Sequence, residues 1–205
     1  MLTLLFLNST CVAEPITILA FGDSLTQGYG LAPEKGFVPQ MQTWLRQQGA
    51  DVTVINAGVS GDTTAGGAAR IGWSLTDEVD AAIVALGGND MLRGIDPASA
   101  AANLEVILSQ IETRDLPVLL VGAEATGNYG AKYKAQFDAI YPALAARHHT
   151  ELFANFMQGL ADLDDRALVM ARYMQRDALH PNAQGVELIV ARMGPAVLAM
   201  IQAQE

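Results

Sequence analysis

Short apolar or alternating runs recur near residues 16–20, 51–56, 81–86, 117–122 and 151–154, with more polar, helix-like stretches between them. Runs of this length read as strands. The intervening stretches carry a helical period. From Pro97 to Thr113, Leu104, Ile107, Leu108 and Ile111 fall on one face, as a helix packed against a core requires. Phe37, Met41, Trp44 and Leu45 mark the core face of an earlier helix, which makes Trp44 a packing residue, and Gly185 to Gln202 reads as the closing helix. Strands alternating with helices predict a parallel sheet covered on both faces, a three-layer α/β/α sandwich of about five strands.

The polar residues that matter sit where the strand-like runs stop. Ile18-Leu-Ala-Phe-Gly-Asp-Ser-Leu-Thr-Gln-Gly-Tyr-Gly30 breaks from an apolar run to Ser24, which a strand there would present at its carboxyl end, where open parallel sheets bind ligands. Gly22 offers the backbone freedom for a sharp exit turn. A second run ends in Asn56-Ala-Gly-Val-Ser-Gly-Asp-Thr-Thr64 and a third in Leu86-Gly-Gly-Asn-Asp90, while Asp177-Ala-Leu-His-Pro181 places a carboxylate and an imidazole three residues apart near the C-terminus. Each has a plain structural reading: Ser24 or Asn89 as a helix cap, Gly61 as a turn residue. Together they supply what acyl transfer by a serine needs, namely a nucleophile, a base, a carboxylate to orient that base, and donors for a developing oxyanion.

Gly22-Asp-Ser-Leu25, Gly61 within Val-Ser-Gly-Asp-Thr, Gly87-Gly-Asn-Asp90 and Asp177-x-x-His180 resemble, in order, the four blocks of the GDSL or SGNH hydrolases. The likeness spans roughly residues 16 to 200 and is nearest to the bacterial esterase and thioesterase I branch, also called lysophospholipase or arylesterase, through Gly-Gly-Asn-Asp-Met-Leu-Arg-Gly and Asn128-Tyr-Gly130. It implies a flavodoxin-like SGNH fold, Ser24 as nucleophile, His180 as general base and Asp177 as its partner. The oxyanion would be held by the backbone N–H groups of Ser24 and Gly61 and the side-chain amide of Asn89. Met91, Leu92, Asn128 and Tyr129 would line the acyl site. Asp23, Asp62 and Asp90 would brace loops by accepting backbone N–H bonds. The implied substrate is a small-molecule ester or thioester of a small to medium acyl group, and no cofactor or metal is needed. Two alternatives stay open: a carbohydrate O-acetyl esterase, and a catalytically silent binding module. Where the branch tends to carry an aliphatic-proline turn, this chain reads Glu124-Ala-Thr-Gly127, so acyl-length preference does not transfer. The α/β-hydrolase pattern Gly-x-Ser-x-Gly is absent from the sequence, which separates the chain from that other serine-hydrolase order.

Composition narrows the partners. Twelve basic against 22 acidic residues give a net charge of −10, which disfavours nucleic acid and anionic membranes. A chain of 205 residues, 51% hydrophobic, is of a length for one domain with a sizeable core. Met1 to Ala13 has a short apolar run ending in small residues, as a secretory signal would. It lacks a basic start, and it is far too short to span a bilayer. That reading sets a leader at 1–13, one domain at 14–205 and a periplasmic or secreted enzyme; without a functional signal the enzyme would be cytoplasmic. It would also remove Cys11, the one cysteine. His148 and His149 are expected to be exposed at a helix end.

Overall fold

The computed structural model describes residues 15–203. The expected leader, with Cys11, lies outside the described residues. The elements run β1 (Ile16–Gly22), α1 (Ser24–Gln27), α2 (Phe37–Gln47), β2 (Val52–Gly58), α3 (Thr64–Ser74), β3 (Ala81–Ala85), α4 (Gly88–Leu92), α5 (Pro97–Glu112), β4 (Val118–Val121), α6 (Gly130–Asp138), α7 (Ile140–His148), β5 (Glu151–Phe153), α8 (Gln158–Ala161), α9 (Arg166–Arg172) and α10 (Ala183–Gln202). All five expected strands form, and β1 and β2 each run two residues further than the apolar pattern suggested, to Gly22 and Gly58. The strands pair in parallel in the order β2-β1-β3-β4-β5.

Alternation along β1 divides the core. Ile18 and Ala20 join one cluster with Ile83, Leu119 and the inner faces of α2 and α10. Leu19 and Phe21 join the other, with Val84, Leu120 and residues of α3, α5 and α7. A strand turns successive side chains to opposite faces, so a centre buried on both sides reads as uninterrupted apolar sequence, and all five residues of β3 are buried. The helical period of α5 is explained in the same way: Leu104, Ile107, Leu108 and Ile111 all face the second cluster. Trp44 packs partly buried against the first cluster. α10 is long and apolar enough to cross a membrane, with a mean hydropathy of 1.4. Its apolar residues, among them Val186, Ile189, Met193 and Val197, are instead buried against the sheet, which makes it a core helix.

The strand order reverses at β1. From β1 the chain first adds β2 on one side and then crosses to β3 on the other, which opens a crevice at the carboxyl ends of β1 and β3, where doubly wound sheets bind ligands. Ser24, Gly61 and Asn89 follow β1, β2 and β3 directly.

Candidate active site

Ser24 begins the short helix α1 and is not its cap. Asp23 takes that place, its Oδ1 accepting the Leu25 N–H at 3.0 Å. The glycine before it is required for space rather than freedom. A Cβ on Gly22 would collide with the Thr26 side chain and sit 2.8 Å from the Ala85 carbonyl. The buried Ser24 hydroxyl lies 2.9 Å from His180 Nε2, and His180 Nδ1 lies 2.7 Å from Asp177 Oδ2. With Nδ1–H donating to the carboxylate, Nε2 is left to accept from the serine hydroxyl. Asp177 also shapes its own loop, because Oδ1 accepts the N–H groups of Leu179 and His180 at 3.0 Å each. Those bonds hold the Asp177 carboxyl down at about 2, the backbone bond from His180 contributing most. It therefore stays ionised opposite the imidazole throughout the neutral range.

Opposite the serine, Gly61 has φ +78°, a left-handed conformation that glycine adopts without strain. Among the described residues, neither the Ser24 nor the Gly61 N–H donates to another backbone carbonyl. Asn89 does not cap α4, whose N-cap is Gly87. Its Nδ2 instead reaches the Asp62 carbonyl at 2.9 Å and Asp23 Oδ2 at 3.3 Å.

Two groups hold these loops together, the partly buried Arg70 and the buried Asp90. Arg70 of α3 donates to Asp62 at 2.7 Å, to the Ala57 carbonyl at 2.9 Å and to the Gly22 carbonyl at 2.9 Å, with its guanidinium 3.9 Å above the Phe21 ring. The ends of β1 and β2 and the loop carrying Gly61 are thus tied to one cation. Asp62 accordingly braces its loop through Arg70, where backbone N–H donors were expected. Asp90 behaves as expected, accepting the Thr64 N–H at 2.8 Å and also the Thr64 hydroxyl at 2.6 Å.

Burial raises the Asp23 carboxyl to about 6, against the opposing pull of the Leu25 N–H, His180 and Asn89. A carboxyl raised by folding contributes stability that is fully present below its unfolded value of about 4 and is lost as pH climbs through about 6. Asp23→Asn has no such dependence. In denaturation at pH 4 and pH 7.5, the variant should gain on wild type by up to about 3 kcal/mol at the higher pH. A difference between the two proteins that is the same at both pH values contradicts this burial argument.

A cavity of about 320 Å³ opens over Ser24, Gly61, Asn89 and His180. Its apolar wall is Leu25, Met91, Leu92, Phe156, Met157 and Leu179, and Glu124 also lines it. Met91 and Leu92 are where the sequence put them. Asn128 and Tyr129 are not part of the wall: the Tyr129 hydroxyl donates to the Leu92 carbonyl at 3.1 Å and its ring packs on Gly94. Tyr129 thus packs against the end of α4. Phe156 and Met157 were missed, although their position just past β5 carries the same strand-end signal as Ser24. His148 also departs from expectation. Its side chain is nearly buried, with Nδ1 2.9 Å from Glu112 and Nε2 3.3 Å from Glu105, because α7 packs beside α5.

The GDSL-like Lipase/Acylhydrolase family pattern matches residues 20–188, a span that takes in every residue of this site. The chain belongs to that family. It is 34% identical to esterase TesA of Pseudomonas aeruginosa over 98% of this chain and 96% of the relative. It is 30% identical to thioesterase 1/protease 1/lysophospholipase L1 of Escherichia coli, over 90% of this chain and 85% of the relative. Among solved structures, the SGNH-hydrolase family esterase AlinE4 superposes with a TM-score of 0.74 at 45% identity, covering 91% of this chain and 97% of that one. The fold is that of an SGNH hydrolase, and this GDSL-like protein is a serine hydrolase that cleaves carboxylic esters of small molecules.

Proposed function

We propose that Ser24, His180 and Asp177 carry out ester hydrolysis through an acyl-enzyme. The observation that carries this reading is the unbroken chain from the Ser24 hydroxyl through both ring nitrogens of His180 to Asp177, at 2.9 and 2.7 Å. Ser24 Oγ attacks the carbonyl carbon while its proton passes to His180 Nε2. The tetrahedral intermediate collapses as the imidazolium returns that proton to the departing alcohol or thiol. Water, deprotonated by His180, then attacks the acyl-serine, and the acid leaves with Ser24 restored. Asp177, ionised throughout, faces the imidazolium in both halves.

The oxyanion is held by the N–H groups of Ser24 and Gly61 and by Asn89 Nδ2, which exchanges its long 3.3 Å bond to Asp23 Oδ2 for one to the oxyanion and donates without titrating. Met91 and Leu92, with the apolar wall around them, receive a small to medium acyl group. Every step uses groups of the chain, so a chelator is expected to leave the rate unchanged. We further assign residues 14–205 to one domain and Met1 to Ala13 to an export leader, which makes the enzyme periplasmic or secreted. The reading is tested by rates on nitrophenyl esters of increasing acyl length with the purified protein: turnover falling off beyond medium chains supports it, and no turnover at any length opposes it.

Asn89→Ala should lower kcat by about 10² to 10³ with a smaller change in KM, because an oxyanion donor acts on charge that develops in the transition state. A bracing role alone, through the bond to Asp62, predicts about 1 kcal/mol of lost stability and an unchanged kcat. Steady-state kinetics and a melt on the same variant separate the two, and a destabilised but fully active protein removes Asn89 from the oxyanion site.

A further inference from the structure

His180 is gripped at both nitrogens, and one face of its ring is covered as well. The Tyr29 ring lies 4.7 Å from the imidazole, centroid to centroid, tilted by 40°. The Tyr29 backbone is tied at both ends: its N–H donates to the Ser24 carbonyl at 3.1 Å, and its carbonyl accepts from Gln175 Nε2 at 2.8 Å. Gln175 closes the ring of contacts. Its own N–H donates to the His180 carbonyl at 2.8 Å, and its side-chain amide also reaches the Pro181 carbonyl at 3.0 Å. The turn bearing the serine and the loop bearing the imidazole are thus joined through two residues that take no part in the chemistry.

We propose that Tyr29 is a positioning residue for the general base: its ring fixes the imidazole plane and stabilises the imidazolium formed when Ser24 gives up its proton, with Gln175 anchoring the Tyr29 backbone. The face of an aromatic ring carries partial negative charge and attracts a cation within about 6 Å of its centroid. Neutral imidazole gains far less from that face, so the interaction grows toward the transition state and acts on kcat. Neither core packing nor substrate contact accounts for the ring. Tyr29 is 48% exposed, which is unlike core packing, and it is not among the residues lining the cavity, which is unlike a substrate contact. Among the described residues its hydroxyl makes no hydrogen bond, so the ring is the part in use.

The inference rests on the roles assigned above to Ser24 and His180. It is tested by kcat and KM on nitrophenyl butyrate, with thermal melts, for Tyr29→Phe, Tyr29→Leu, Gln175→Ala and Ser24→Ala. Tyr29→Phe should stay within about twofold of wild type, while Tyr29→Leu should lose about 2- to 30-fold in kcat with KM little changed. A wild-type kcat in Tyr29→Leu, an equal loss in Tyr29→Phe, or an effect confined to KM overturns the proposal. Should Tyr29→Leu fail to fold, Gln175→Ala decides: a several-fold loss in kcat at constant KM supports the clamp, and a wild-type kcat overturns it. Ser24→Ala separates the two levels. An active Ser24→Ala removes the nucleophile assignment itself, whereas an inactive one beside a fully active Tyr29→Leu removes only the role of Tyr29.

Discussion

Ser24→Ala should lower kcat by about 10⁵ to 10⁶, the scale on which serine hydrolases lose turnover when the nucleophile is deleted. The fold should persist. Ser24 is buried but small, among the described residues its hydroxyl bonds only to the imidazole, and its backbone is fixed by the Asp23 cap and by the Gly28 and Tyr29 N–H groups on its carbonyl. Alanine suits the first turn of a helix, so the melting curve should stay close to that of wild type. Activity above about a tenth of wild type, with contamination excluded, would place the nucleophile elsewhere.

His180→Ala should be nearly as damaging as Ser24→Ala, and Asp177→Ala less so, by about 10⁴. Proton transfer is obligatory in each half of the reaction, whereas orientation is assisted by other contacts: the Tyr29 ring on the imidazole face and the Gln175 N–H on the His180 carbonyl. Asp177→Ala also loses the bonds to the Leu179 and His180 N–H groups, so part of its cost is a looser loop. Kinetics on both variants check the order, and an Asp177→Ala clearly slower than His180→Ala reverses the two roles.

What could be read in the sequence was whatever is local in the chain. The five strands follow from short apolar runs, and β1 and β3 from runs with no polar face, because the centre of a parallel sheet is buried on both sides. Ser24, Gly61, Asn89 and the Asp177-x-x-His180 pair each sit at an element's end, where small polar residues after an apolar run stand out. Contacts that close across the fold left no such mark. Arg70 is one basic residue in the middle of α3, and nothing in its neighbours tells that it meets two strand ends and Asp62. Tyr29 and Gln175 lie at opposite ends of the chain and meet only because the sheet brings the first turn beside the last loop. Asn128 and Tyr129 were drawn into the acyl site by a motif, whereas the local turn aims Tyr129 at the Leu92 carbonyl. His148 was judged by its place at a helix end, and only the packing of α7 on α5 brings Glu105 and Glu112 to it.

The central claim is that an acyl group passes through the Ser24 oxygen. It is tested most directly by treating the protein with a phosphonate ester that stops at the covalent stage, then measuring intact mass and mapping the labelled peptide. The account predicts one adduct per chain, on the peptide containing Ser24, formed in step with loss of activity and absent from Ser24→Ala. An adduct on another residue, or full turnover in a protein labelled at Ser24, would contradict it.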